Sequence, residues 1–146
     1  MGIFTDNEVA YLNGQKLGRI ATQQPNGTLQ NNPVVYTYNP NSSTIDIYGY
    51  RMAKSRKFLN IADNGRVAFV VDDLASTEPW QPRFLEIRGW AEAITAAQAA
   101  ERQPLGDGPF IRIHPRRIVA YGLDSGEGPS NGWSSQARDV DEDGSA

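Results

Sequence analysis

Residues 17–40 read LGRIATQQPNGTLQNNPVVYTYNP, two runs of strand character joined by Pro25-Asn26-Gly27. Asn-Gly between such runs is a strong hairpin signal, because both residues tolerate positive φ. The stretch therefore predicts an antiparallel pair, and the chain on either side extends it. Upstream, FTDNEVAYLNG fits a short amphipathic helix capped by Thr5 or Asp6, with Val9, Ala10 and Leu12 as apolar contacts and Gly14 as the stop. Downstream, STIDIYGY alternates, Ile45 and Ile47 on one face and Asp46, Tyr48 and Tyr50 on the other, which makes a third strand.

Further along, RVAFVVDD has no polar face between Val67 and Asp72 and reads as a strand covered on both sides, ended by Asp72-Asp73. RFLEIRGWAEAIT alternates over a long strand, and AAQAAERQ adds a short helix. FIRIHPRRIVAYGL is a last strand interrupted by Pro115, which implies an edge, a bulge or a bend. From Asp124 onward Gly, Ser, Pro and acidic residues dominate. The expected organisation is one domain over residues 1–123 and an irregular tail over 124–146 whose end is disordered. Strands linked by hairpins, with few helices, predict a mainly β fold, a small antiparallel barrel.

A chain of 146 residues buries a core without staples, and the absence of cysteine removes thiolate catalysis, zinc-cysteine sites and redox dithiols. No stretch approaches the ~18 apolar residues of a membrane span, and the N-terminus lacks a basic start followed by an apolar run. The expectation is a soluble cytoplasmic protein with no membrane partner. A net charge of −3 and a pI near 5.1 argue against general nucleic-acid binding.

Against that acidic background, RMAKSRKF over residues 51–58 places Arg51, Lys54, Arg56 and Lys57 within one short stretch. Phe58, Leu59 and Ala62 predict one helix from about residue 53 to 63, ended by Asn64-Gly65, so the cations crowd its first turn. Mutual repulsion and the positive end of the helix dipole both disfavour them there. An anion would reverse both penalties, drawing on backbone N–H groups, the Ser55 hydroxyl and the cations together. The missing partner is read as a phosphate. Tyr48 and Tyr50 on the strand leading into the cluster, with Pro33, Val34 and Val35 on a neighbouring one, offer a seat for a phosphorylated flat ring. Spacing alone leaves open whether the two tyrosines line a ring or cover the sheet.

Other candidates are weaker. His114 shows no orienting partner and reads as structural. Asp72-Asp73 lacks the further ligands of a calcium loop. The glycine-rich pieces GDGPF and SGEGPSNG match neither a P-loop nor GxGxxG and read as turns.

Taken together, IATQQPNGTLQNNPVVY, TIDIYGY and SRKFLNIADNGRVAFVVD resemble the pyridoxamine 5'-phosphate oxidase-like superfamily of flavin-binding split β-barrels over roughly residues 5–123. Ser55-Arg56-Lys57 with Arg66-Val67 downstream is the more specific part of the match. The wording FTDNEVAYL, LGRIAT, VVDDLAS with PW, and IRIHPRRIVAYGLD with ARDV is similar to the actinobacterial branch that uses the deazaflavin coenzyme F420. This resemblance implies an FMN-binding type of split barrel, a homodimer with cofactor sites at its interface, and a phosphate role for Ser55, Arg56 and Lys57. It implies that Arg51 and Lys54 support them, that Asn32, Pro33 and Val34 line the ring, and that the segment Tyr48, Gly49, Tyr50, Arg51 and Met52 joins the cofactor site. Trp80, or the tail carrying Trp133, would reach the partner's site.

Two departures qualify the match. The chain ends in NGWSSQARDVDEDGSA where the oxidase proper has Trp, Arg and His residues for pyridoxamine phosphate, which argues against vitamin oxidation. Two extra residues also separate the Tyr-bearing strand from Ser55, and the extra cations suit the acidic oligoglutamate tail of the deazaflavin. The expected activity is hydride transfer from reduced coenzyme F420 to a small, conjugated organic substrate, the cofactor carrying the chemistry. FMN in the same seat is the alternative cofactor, and a non-catalytic carrier of either is the third reading.

Overall fold

The computed structural model describes residues 2–123 and 135–141. Its helices and strands run in the order α1 (Asp6–Gly14), β1 (Leu17–Gln23), β2 (Leu29–Val35), β3 (Thr37–Asn39), β4 (Thr44–Ile47), α2 (Arg56–Asn64), β5 (Arg66–Thr77), β6 (Trp80–Ile94), α3 (Ala96–Ala99), β7 (Phe110–Tyr121) and β8 (Ser135–Asp139). A 3₁₀ turn, Met52–Lys54, precedes α2, and another, Ala100–Arg102, follows α3. The strands form one antiparallel sheet in the order β2-β1-β5-β6-β7-β4-β3, with β8 also on β7. The sheet curls into a split barrel, the form that the family resemblance implies for the small antiparallel barrel read from the strand pattern.

The hairpin forms as expected, Leu17 opposite Val35 and Gln23 opposite Leu29. Only Gly27 takes the positive φ, at 90°, while the Asn26 side chain accepts from the Thr28 N–H at 3.0 Å. Asn26 thus shapes the turn through its amide oxygen, an Asx-type device, rather than through its backbone. In α1 Thr5 is the cap, closed reciprocally by Glu8, and Gly14 is the last helical residue rather than the stop. Tyr11 and Leu12 supply the buried apolar contacts, while Ala10 points to solvent.

The core lies inside the curl and is built from Ile20, Phe69, Val71, Leu85, Ile87, Ile111, Ile113 and Ile118. β5 differs from its expected form in two ways. Val67, Phe69 and Val71 are buried while Ala68 and Val70 are only half-covered, so one face is sealed and not both. The strand also continues through Asp72 and Asp73, whose carboxylates meet Arg19 and Arg83. Paired charges can stay within a ladder; they do not have to open a turn. On β7, Pro115 sits at a bulge where Arg88 faces Arg117 and Gly89 faces Pro115. Pro115 also falls between the part of β7 that pairs with β4 and the part that pairs with β8, where a missing N–H costs no ladder bond.

Residues 135–139, expected to be irregular, form β8. Arg138 donates to Glu8 Oε2 at 2.9 Å and to the Ile3 carbonyl at 2.8 Å, and Val140 is buried. Trp133 lies outside the described residues. Among the described residues no helix is long and apolar enough to cross a membrane.

Candidate functional site

The basic cluster does not open a continuous helix. Ser55 has φ −71° and ψ 148°, an extended conformation that separates the 3₁₀ turn from α2 and makes Ser55 the N-cap. Arg51 and Lys54 therefore precede the helix, and only Arg56 and Lys57 lie in its first turn. The Ser55 hydroxyl, expected to face the anion, is already engaged. It donates to the Met52 carbonyl at 2.7 Å and accepts from the Phe58 N–H at 3.3 Å. It locks the turn, and the backbone donors left at the helix start are the Arg56 and Lys57 amides, which precede the first intrahelical bond, Leu59 N–H to the Ser55 carbonyl at 3.1 Å.

α2 is held by Phe58 and Ile61, three residues apart and both buried; Leu59 is 43% exposed, so the apolar seam differs from the expected one. Gly65 ends it with φ 69°. Elsewhere arginines reach carboxylates, as Arg19 does on Asp72, Arg83 on Asp73 and Arg112 on Asp46. Among the described residues no carboxylate pairs with Arg51, Lys54, Arg56 or Lys57. Arg51 takes a left-handed backbone, φ 51°, and lies over the Tyr50 ring at 5.3 Å. Arg56 donates from Nε to Asn60 Oδ1 at 3.0 Å.

That asparagine, missed in the sequence, is buried and reaches across to the hairpin. Its Nδ2 donates to Thr22 Oγ1 at 3.0 Å and to Gln30 Oε1 at 3.3 Å. Thr22 and Gln30 face each other in the β1–β2 register. Asn32, two residues along β2, shares the Gln30 face, and its buried Oδ1 has no hydrogen-bond partner among the described residues. The one local mark of Asn60 is its place four residues after Arg56, where helical side chains meet, and that spacing says nothing of the hairpin partners.

The other expected site residues are not all gathered here. The pleat turns Pro33 to the exposed face, opposite Asn32 and Val34, and Val34 belongs to the core. Tyr48 stacks on Phe110 with centroids 4.9 Å apart, and its hydroxyl accepts from the Leu105 and Gly106 amides at 3.1 and 3.0 Å. That geometry gives Tyr48 a structural task. Tyr50 is 88% exposed beside the cluster, Met52 is buried beneath it, and Gly49 lies against the Met52 methyl. Trp80 sits at the tip of the β5–β6 hairpin, about 35 Å along the strand from the Arg66 end where α2 joins β5. Asp46, expected on the outward face with the tyrosines, is fully buried under Arg112.

His114 has the partner that the sequence did not reveal: its Nε2 lies 2.9 Å from Glu92 Oε2, and its ring stacks on Trp90 at 4.1 Å. Burial pulls its pKa below the usual value, against the raising effect of Glu92, while Arg112 and Arg116 lower it further. Among the described residues no group of His, Asp and Glu could hold a metal ion.

A pyridoxamine 5'-phosphate oxidase family model matches residues 4–119. The chain belongs to that family. Within it, the chain is similar to a 5a,11a-dehydrotetracycline/5a,11a-dehydrooxytetracycline reductase of Streptomyces rimosus, 44% identical over 83% of this chain and 84% of the relative. Among solved structures it is similar to a conserved hypothetical protein of Mycobacterium tuberculosis, TM-score 0.63 and 21% identity over 84% of this chain and 87% of that one. It is also similar to an F420 reductase, TM-score 0.55 and 23% identity over 75% and 93% of the two chains.

The chain is an oxidoreductase of a family that binds flavin-type cofactors, and the carrier reading falls away. The residues present fit such a group: Asn32 offers a buried acceptor for a ring N–H, and the cations and first-turn amides suit a phosphate.

Proposed function

We propose that this enzyme transfers a hydride from reduced coenzyme F420 to a conjugated double bond of a small organic substrate. The observation that carries the reading is the reductase relative at 44% identity over most of both chains, whose name states a dehydro compound as its substrate. The choice of deazaflavin is supported by charge. Four cations without carboxylate partners among the described residues exceed what one phosphate needs, and an acidic tail would use Arg51 and Lys54.

When bound, the reduced deazaflavin supplies the hydride. The residues of this chain hold and orient it. Arg56, Lys57 and their amides neutralise the phosphate, Asn32 Oδ1 accepts a ring N–H, and Met52, Phe58 and Ile61 keep the floor beneath dry. A second copy of the chain completes each site in this reading, with Trp80 on its long hairpin as the reaching element. The working compartment is the cytoplasm, where reduced coenzymes are regenerated.

FMN is the second reading, favoured by the family itself. Paired fluorescence titrations with coenzyme F420 and with FMN at equal salt separate the two. Tighter F420 binding supports the proposal, and tighter FMN binding overturns the cofactor choice.

A further inference from the structure

We infer that Asn60 is a positioning residue that aims Arg56 at the anion without neutralising it. The inference rests on the anion seat proposed above and deepens it.

Asn60 is buried completely, in a helix whose other buried side chains, Phe58 and Ile61, are apolar. A buried amide in that place needs partners on every polar atom, and here each end has a different kind. The Nδ2 end meets two acceptors on the hairpin, Thr22 Oγ1 and Gln30 Oε1, at 3.0 and 3.3 Å. The Oδ1 end meets a donor, Arg56 Nε–H, at 3.0 Å. The reverse orientation would set NH₂ against Arg56 Nε–H, which can only donate, so the oxygen faces the arginine and the NH₂ is left to the two hairpin acceptors.

Holding Nε leaves the two terminal amino groups of Arg56 without partners among the described residues, a donor fork suited to phosphate or carboxylate. A carboxylate at position 60 would hold the guanidinium as well but would neutralise it. A neutral amide gives orientation and keeps the charge. Because Asn60 hangs from Thr22 and Gln30, the side chain that receives the anion is tied to the β1–β2 hairpin that also carries Asn32. One hydrogen-bonded chain thus sets the distance between the two ends of the cofactor seat.

The test is a double-mutant cycle read by coenzyme F420 affinity, with thermal unfolding followed in parallel. Asn60→Leu, close in volume, should weaken binding about five-fold in the parent chain and less than two-fold in Arg56→Ala, because its effect passes through Arg56. Asn60→Asp should weaken binding at least as much and flatten its salt dependence, since the new carboxylate neutralises the guanidinium. Thr22→Val combined with Gln30→Met loosens Asn60 without replacing it. This variant should reproduce a smaller loss of about two-fold and serves where the Asn60 variants do not fold. Equal losses in both backgrounds, or no loss in the parent, would overturn the positioning role while leaving the anion seat in place. Unchanged affinity in Arg56→Ala itself would overturn both.

Discussion

Two of the arginines that side chains on other turns or strands hold, Arg112 and Arg56, are held for opposite purposes. Arg112 on β7 lies in a closed system. Its Nε and one terminal nitrogen donate to the two oxygens of Asp46 at 3.0 Å each, and its other terminal nitrogen donates to the Arg102 carbonyl at 2.6 Å. Asn39 and Thr44 fill the remaining acceptor positions of Asp46 at 3.0 and 2.9 Å. Arg56 is gripped by one neutral atom and keeps its charge. The first arrangement spends its charge on the fold, and the second leaves it for a ligand.

The largest effect that tests this contrast is on stability at the closed site. Asp46→Ala strands a buried guanidinium, and breaking a buried pair in this way costs ~3–5 kcal/mol. Denaturant unfolding should show a loss of that size, with coenzyme affinity of the folded fraction unchanged. At the open site the outcome should be the reverse. Arg56→Ala with Lys57→Ala should weaken coenzyme binding at least ten-fold, since charge-assisted hydrogen bonds contribute ~1.5–3 kcal/mol each. Unfolding should move by only about 1 kcal/mol, the cost of the single hydrogen bond from Arg56 to the buried Asn60. A double variant that lost stability but not affinity would erase the distinction.

A smaller effect sharpens the same comparison. Arg51 and Lys54 stand before the helix, outside the reach of its first-turn amides. Replacing both by alanine should weaken coenzyme F420 about three- to five-fold at low salt, less at high salt, and should leave FMN affinity unchanged. Equal losses for both ligands would assign these cations to the phosphate rather than to an acidic tail.

The difference between these two regions also explains what the sequence disclosed. The cluster was legible because nothing within the surrounding residues could neutralise it, and the hairpin was legible because Asn26-Gly27 is a local signal. Asn60 was not, since a lone asparagine inside a helix resembles any surface polar residue until Thr22 and Gln30, 38 and 30 positions away, close over it. β8 was hidden for a related reason. Its composition is that of a tail, and its order comes from the free edge of β7 and from Arg138 reaching Glu8. The helix boundary was misplaced because a run of cations carries no mark of the extended Ser55, which only its cap bonds reveal. The resemblance implies that Asn32, Pro33 and Val34 line one ring, but the pleat turns the Pro33 side chain to the face opposite Asn32 and Val34.

The least effect expected is at His114, where a titratable basic side chain falls between the two extremes. Glu92 supports the protonated ring from β6, while burial and the facing Arg112 and Arg116 oppose it, and the balance lies below the ordinary imidazole value. In the unfolded chain the imidazole titrates near 6.5. Below that value the unfolded state therefore binds the proton more readily than the folded one, so stability is complete at higher pH and falls as the pH drops through the unfolded and then the folded value. His114→Phe keeps a flat ring against Trp90 and removes the titration. Its denaturant midpoint should vary less between about pH 5 and 7 than that of the parent. Glu92→Gln should steepen the parent's decline, because it removes the principal support of the charged ring and leaves Arg112 and Arg116 unopposed. An identical pH profile in all three proteins would mean that protonation of His114 is not coupled to folding, and that the Trp90 stack tolerates the charged ring as readily as the neutral one.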